Sequence, residues 1–255
     1  MELSFVSFIY VVLTYVAFTV FIVGLIWKII VYSKTPMCVK IALTPAPKTK
    51  GGVVIRLLGE VLFLKTLFKS NKATWIGSYV FHVSFAVVIL QHILRHYVYD
   101  FYHGHPPTWY DALIPVGVIF GALMLLSLLY LLARRIFVEK VKLVSYFSDY
   151  FILILLIAIG IAGLSEIFFI PDAEFQRVVT QLDVYFNQLL MFHPTNIPTN
   201  PIFLVHYTLV LILLVYIPFS KLVHFVGIFF STTLNMTDNP REKRYYNEKA
   251  DRPTI

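Results

Sequence analysis

The chain has 255 residues, of which 58% are hydrophobic and only 14% charged, with a formal net charge of +7. This composition and a mean hydropathy of +0.77 argue against a soluble globular protein and indicate one that crosses the membrane several times. Since lipid offers no hydrogen-bond partners and the apolar runs exceed the length of a barrel strand, the predicted fold class is all-α. A single cysteine, Cys38, excludes a disulfide framework and any all-cysteine cluster within this chain.

Five apolar segments are each long enough to span a bilayer, which predicts an integral membrane bundle of five transmembrane helices. In chain order they are residues 5–31, 75–99, 112–132, 145–170 and 201–225. Between the first two, residues 53–70 alternate apolar residues and cations at helical spacing, which predicts a helix at the cytoplasmic interface that anchors to lipid or docks a partner subunit. Residues 172–192 predict a short amphipathic helix on the outer face.

Lysine and arginine are retained on the cytoplasmic side of membrane proteins, and here they alternate between loops. The segments 32–74, 133–144 and 231–255 are rich in cations, whereas residues 100–111 have none and 171–200 have only Arg177. This asymmetry predicts an outer N-terminus and a cytoplasmic C-terminus in the cell membrane. The predicted organisation is a five-helix membrane domain over residues 1–230, with a cytoplasmic interfacial segment at 34–74, followed by a basic tail at 231–255.

Four histidines lie within two of the predicted spans, where polar side chains are costly and usually functional. His82 and His92 are 10 residues apart on the second span, about 15 Å along a helix, and His206 and His224 are 18 apart on the fifth, about 27 Å. Because these spans run in opposite directions, His82 pairs with His224 in depth and His92 with His206. Neutral imidazole is a common axial ligand of haem iron, so the pattern predicts two bis-histidine haems b.

Other residues of these spans leave alternatives open. Arg95 could pair with a haem propionate or a quinone carbonyl, or extend to the membrane surface. His96 rivals His92 as a ligand of the outer haem, and Glu166 could accept a quinol proton or be solvated. The unequal histidine spacings require different helix tilts or a kink, for which Pro218 is a candidate.

Two other functional classes are alternatives to a cytochrome. A transporter with histidine relays would carry no haem, and a bare membrane anchor would need no such histidines.

Three stretches carry a resemblance to known families: residues 32–82, 91–96 and 193–244, with the motifs TPAP at 44–47 and PFSKLVH at 218–224. They resemble the cytochrome b family of nitrate reductase gamma subunits and, more closely, the membrane cytochrome b (DsrM) family of the DsrMKJOP complexes. The first family implies two haems b held by His82, His92, His206 and His224.

The resemblance further implies that menaquinol is oxidised near the outer haem. Electrons would pass inward to a cytoplasmic iron–sulfur subunit resembling heterodisulfide reductase (DsrK), beside the other DsrMKJOP subunits, in dissimilatory sulfur metabolism such as sulfate reduction. A gamma-type cytochrome b of a nitrate or heterodisulfide reductase is the alternative. Membrane lipid is an expected contact and nucleic acid is not.

Overall fold

The computed structural model describes residues 3–35, 46–102 and 107–230, and within these ranges all regular secondary structure is helical. The predicted all-α class is therefore confirmed. Ten α-helices follow one another: α1 (Phe5–Lys34), α2 (Lys50–Phe63), α3 (Lys65–Ser70), α4 (Lys72–Phe101), α5 (Leu113–Phe137), α6 (Glu139–Leu143), α7 (Phe147–Phe169), α8 (Asp172–Leu190), α9 (Pro201–Tyr216) and α10 (His224–Gly227).

Five segments of this described chain are long and apolar enough to cross a membrane, as the sequence predicted. They are Phe5–Lys34, Lys72–Val98, Thr108–Phe137, Phe147–Phe169 and Pro201–Phe219. The predicted amphipathic helix at 172–192 is also present as α8, with acidic residues in its first turn. The five-span prediction is confirmed, except at the end of the fifth span.

The fifth span was predicted to continue to residue 225, and this boundary is wrong. Helix α9 ends at Tyr216 and is followed by two 3-10 turns, Ile217–Phe219 and Lys221–Val223, which flank an extended residue, Ser220. Pro218 lies in the first turn, lacks a backbone N–H and cannot continue an α-helix. The predicted kink is thus a complete break, and His224 begins a separate short helix.

The break is fixed by local contacts. The Ser220 hydroxyl accepts a hydrogen bond from the Leu222 backbone N–H at 3.1 Å and so starts the second turn. Pro218 packs against Gly24 of α1, where a Cβ atom would come within 2.6 Å of the Pro218 Cβ. A larger residue than glycine would push this turn away from α1.

The chain divides into two compact units. Unit one comprises Met1–Phe18 and Asn71–Leu214, and therefore holds the first half of α1, α4 to α8 and most of α9. Unit two comprises Thr19–Ser70 and Val215–Ile255. The sequence prediction of one domain over residues 1–230 stays a prediction.

The predicted interfacial helix of unit two is two helices. Thr49 caps α2 by accepting a hydrogen bond from the Gly52 N–H at 3.1 Å. Leu64 then adopts a left-handed conformation with φ of 49°, which ends α2 and begins α3. Neither helix has a buried residue. Most apolar side chains of α2 are exposed, namely Val54, Ile55, Leu58, Val61, Leu62 and Phe63. This exposed stripe suits the membrane interface that the sequence predicted.

Small residues allow close helix packing in unit one, as is common for membrane helices. A Cβ added at Gly77 of α4 would lie 2.5 Å from the Tyr130 ring of α5. The Tyr130 hydroxyl donates a hydrogen bond to the Ala73 carbonyl at 3.0 Å, which keeps the ring against α4. Gly77 therefore sets the approach of α4 to α5.

We expect Gly77→Ala to destabilise the protein, because the Tyr130 ring must move and lose its hydrogen bond to Ala73. Overpacking of this kind costs about 1–3 kcal/mol. The midpoint of thermal unfolding in detergent measures the effect. Gly51→Ala is the matched control, since a Cβ there meets nothing within 4 Å. Equal midpoints for the two variants would contradict this account of the α4–α5 packing.

Candidate functional site

The four predicted haem ligands share one hydrogen-bonding arrangement: Nδ1 of each imidazole bonds to a backbone carbonyl oxygen. The bonds run from His82 to Ser78 (2.6 Å), from His92 to Val88 (2.7 Å), from His206 to Ile159 (3.1 Å) and from His224 to Lys221 (2.9 Å). A carbonyl oxygen only accepts, so Nδ1 carries the hydrogen and donates it. In the neutral ring Nε2 then holds the lone pair, which is the form that ligates a metal.

His92 lies on α4 and His206 on α9, and both residues belong to unit one. Within the described ranges there is no group of three or more histidine, cysteine, aspartate or glutamate side chains that could hold a metal ion. A bis-histidine haem requires two imidazoles from different helices, and His92 and His206 supply one each.

A glycine makes room for His206. A Cβ at Gly163 of α7 would lie 3.0 Å from Cε1 and 3.2 Å from Nδ1 of the imidazole. Ile159, whose carbonyl accepts the His206 hydrogen bond, lies four residues earlier on the same face of α7. The missing side chain thus lets His206 reach the α7 backbone. Gly163 was not predicted from the sequence, although small residues near the end of α7 indicate close helix packing there.

The two remaining histidines lie in different units. His82 is an exposed residue of α4 in unit one, and its ring meets the Phe81 ring edge-on with centroids 5.0 Å apart. His224 is an exposed residue at the start of α10 in unit two. Because the helix breaks after Tyr216, the calculation that placed His206 and His224 about 27 Å apart along one helix does not apply. The pairing of His82 with His224 stays a prediction from the sequence.

Arg95 is a buried cation of α4, only 8% exposed, so it does not extend to the surface. Its guanidinium carbon lies 5.6 Å from the centre of the Tyr110 ring and 5.4 Å from that of Phe175, on α8. Its Nε and Nη2 atoms have no hydrogen-bond partner in the described chain. A buried charge without a partner is costly, so Arg95 is well suited to bind an oxygen-bearing ligand. These two aromatic neighbours of the guanidinium were not predicted from the sequence.

His96 has a different environment from that of the four predicted ligands. Its Nδ1 lies 2.7 Å from Oδ1 of Asp183 on α8, and this pair links α4 to α8. Glu166 of α7 is partly buried, and its Oε1 atom is fully buried without a hydrogen-bond partner. Of the remaining histidines, His193 bonds to the Met191 carbonyl, while His103 and His105 lie outside the described residues.

Hydroxyl groups join the first half of α1 to α8 and α9 beside His206. Thr14 lies 2.7 Å from the Tyr207 hydroxyl and 3.4 Å from that of Tyr185, which is fully buried. Tyr10 bonds to Thr208 at 2.8 Å. Burial raises the pKa of Tyr185, so this hydroxyl stays neutral at physiological pH. This hydroxyl network was not predicted from the sequence because its residues are far apart in the chain.

Comparison with known proteins identifies a family for this chain. The family model described as "Nitrate reductase gamma subunit" matches residues 65–237, about two-thirds of the chain. The chain belongs to the nitrate reductase gamma subunit family. All four histidines, Arg95 and Glu166 fall within the part of this gamma-family chain that the family model matches.

Two curated relatives are each named "Hdr-like menaquinol oxidoreductase cytochrome b-like subunit". One, from Archaeoglobus profundus, is 26% identical over 299 aligned positions, covering 97% of this chain and 84% of the relative. The other, from Archaeoglobus fulgidus, is 28% identical over 289 positions, covering 96% of this chain and 85% of the relative. The gamma-family chain is thus similar to both over nearly its whole length.

The residues of the gamma-family chain fit a haem at His92 and His206. Both imidazoles are held with Nε2 as the ligating nitrogen, and Gly163 leaves the space that His206 occupies. The buried, incompletely bonded guanidinium of Arg95 adds a binding group one helical turn from His92. For His82 and His224 the fit rests on the same Nδ1 arrangement at each residue separately.

Proposed function

We propose that this chain is a dihaem cytochrome b subunit that oxidises menaquinol near the outer face of the cell membrane and passes electrons across it. The observation that carries the proposal is the shared orientation of His92 and His206: each Nδ1 donates to a backbone carbonyl, which leaves Nε2 able to ligate iron. Membership of the nitrate reductase gamma family supports it, as do the names of the two Archaeoglobus relatives.

Two haems b are the proposed cofactors, one held by His92 and His206 and the other by His82 and His224. When bound they supply one-electron transfer, which no side chain of this chain could provide. The chain orients four imidazoles and offers the Arg95 guanidinium to a propionate or quinone oxygen. The pairing of His82 and His224 rests on the antiparallel direction of their segments in the sequence.

The proposed orientation puts α8 and the α4 end that carries Arg95 outside, and the N-terminus with them. The C-terminus and the cation-rich segment that contains α2 and α3 would then be cytoplasmic. Menaquinol would bind near Arg95 and His92, at the end of unit one that α8 contacts. Its protons would leave on the outer side while electrons travel inward.

A cytoplasmic iron–sulfur subunit is the proposed electron acceptor. The Archaeoglobus relatives are named Hdr-like, which supports an acceptor resembling heterodisulfide reductase. The resemblance of residues 32–82 and 218–224 to the DsrM family further favours DsrK as the acceptor, the other DsrMKJOP subunits as partners, and a role in dissimilatory sulfur metabolism. With one cysteine, this chain leaves the sulfur chemistry to its partners.

The purified chain should show the spectrum of b-type haem in a reduced-minus-oxidised difference measurement. A pyridine haemochrome assay should give two haems per chain, because two pairs of histidines are available. Menadiol, a soluble menaquinol analogue, should reduce both. One haem per chain would break the paired assignment, and a preparation without haem would favour the transporter hypothesis instead.

A further inference from the structure

Two charged side chains of unit one lie one helical turn beyond the histidine pair. Arg95 follows His92 by three residues on α4, and Glu166 follows Gly163, the residue against His206, by three residues on α7. Three residues advance about 4.5 Å along a helix. Helices α4 and α7 both run toward α8: Arg95 contacts Phe175 of α8, and α7 leads directly into α8. Both charges are therefore displaced from the histidines in the same direction.

Glu166 lies on the face of α7 that meets His206. Ile159, Gly163 and Glu166 are related as i, i+4 and i+7, which places them along one stripe of a helix. The Ile159 carbonyl accepts the hydrogen bond from His206, and Gly163 has no side chain, which leaves room for the imidazole ring. The Glu166 carboxyl group therefore follows the His206 contact by one turn, and its buried Oε1 has no hydrogen-bond partner.

Arg95 and Glu166 do not neutralise each other. The ion pairs in the described part of the chain are His96–Asp183 and Arg135–Asp149, and neither involves these two residues. Leaving buried polar atoms without hydrogen-bond partners is unfavourable unless a ligand supplies what each lacks. Glu166 needs a hydrogen donor and Arg95 needs an oxygen acceptor. A hydroquinone has both, since each of its hydroxyl groups can donate and accept.

We propose that Glu166 is the catalytic base that accepts protons from menaquinol, and that Arg95 donates hydrogen bonds to an oxygen of the same molecule. This inference rests on the proposed function. Oxidation of one quinol breaks two O–H bonds and yields a quinone, two protons and two electrons. The two electrons would pass one at a time to the haem that His92 and His206 would hold. Each proton passes in turn to the Glu166 carboxylate, which releases it to the outer aqueous phase before accepting the next.

The test uses Glu166→Gln in the haem-loaded chain, because glutamine keeps the shape and a hydrogen-bond acceptor but cannot take a proton. Reduction of the haems by menadiol, followed in a stopped-flow spectrometer, should slow by about 10²-fold or more. Two properties should stay at the wild-type value: haem content, and the dissociation constant of menadione measured by fluorescence quenching. The matched control is Glu174→Gln, an exposed acid of α8 bonded to Asn200, which should reduce at the wild-type rate.

Several outcomes would overturn the inference. A Glu166→Gln chain that reduces as fast as the wild type would show that Glu166 accepts no proton, while leaving the quinol-oxidising function intact. Equal slowing in Glu174→Gln would remove the special role of Glu166. A wild-type chain without haem or without menadiol oxidation would instead contradict the proposed function.

If Glu166→Gln does not accumulate, Glu166→Asp serves in its place. This variant keeps a carboxylate and should oxidise menadiol measurably. Complete inactivity with both haems bound would contradict a proton-accepting role for residue 166.

The Arg95 part of the inference has its own measurement. Arg95→Gln should keep both haems and weaken menadione binding by about tenfold or more, since hydrogen bonds to charged groups are among the stronger ones. Loss of one haem with unchanged menadione affinity would assign the guanidinium to a haem propionate and overturn its role toward quinone.

Discussion

Replacing His92 by alanine should remove the outer haem, leave one haem per chain and abolish menadiol oxidation. The remaining haem, which we assign to His82 and His224, should still be reduced by dithionite. The physical reason is that alanine offers no axial nitrogen and leaves His206 without its partner. A haemochrome assay together with low-temperature difference spectra measures both effects. His206→Ala should give the same spectrum, because the two residues hold one haem.

His96→Ala is the matched control for this loss. The two histidines lie four residues apart on one face of α4, but His96 pairs with Asp183 whereas His92 bonds to a carbonyl. We expect His96→Ala to retain two haems. Retention of both haems in His92→Ala and loss in His96→Ala would make His96 the ligand. Loss of the inner haem alone in His92→Ala would reverse the proposed orientation.

Gly163→Val should also cost the outer haem, although residue 163 has no ligating atom. Even a Cβ would lie 3.0 Å from Cε1 of His206, and the two methyl groups of valine would occupy more of the space that the imidazole fills. The His206 ring would lose its hydrogen bond to the Ile159 carbonyl, and its Nε2 atom would then point in a different direction. We expect fewer than two haems per chain, with a shifted spectrum of the outer haem in any fraction that retains it.

The comparison for this substitution is a pair of alanine variants on the same helix. A Cβ at residue 160 would lie 3.4 Å from the flexible Met124 side chain and 3.9 Å from that of Leu125, so Gly160→Ala should leave both haems unchanged. Gly163→Ala should fall between Gly160→Ala and Gly163→Val, because the His206 ring must yield by a few tenths of an ångström. Identical haem content and spectra in all three variants would show that Gly163 does not position His206.

Much of the architecture follows from the sequence because lipid imposes strong rules. An apolar run of about 20 residues must be helical, so five spans and the amphipathic α8 could be predicted with boundaries a few residues from those observed. The histidines stood out for the same reason, since polar groups within spans are costly. The shared depth of His92 and His206 follows from the antiparallel direction of their spans and stays a prediction.

The parts that could not be predicted depend on packing and local backbone geometry. Pro218 signalled a kink, but a full break at residues 217–220 also needs the Ser220 cap and the space at Gly24. Leu64 is left-handed without being glycine, so nothing in its residue type predicted the division of α2 from α3. The environments of Arg95 and Glu166 depend on helices that are distant in the sequence. Burial could therefore be known only from the structure.

The hydroxyl contacts between α1 and α9 determine when the outer site can form during synthesis. Thr14 and Tyr207 are separated by 193 residues, so the first helix cannot make this contact until α9 has been inserted. His206 enters the membrane together with Tyr207. On the proposed assignment, haem would be loaded at His92 and His206 only after nearly the whole chain has left the ribosome, and a chain truncated before α9 should accumulate without the outer haem.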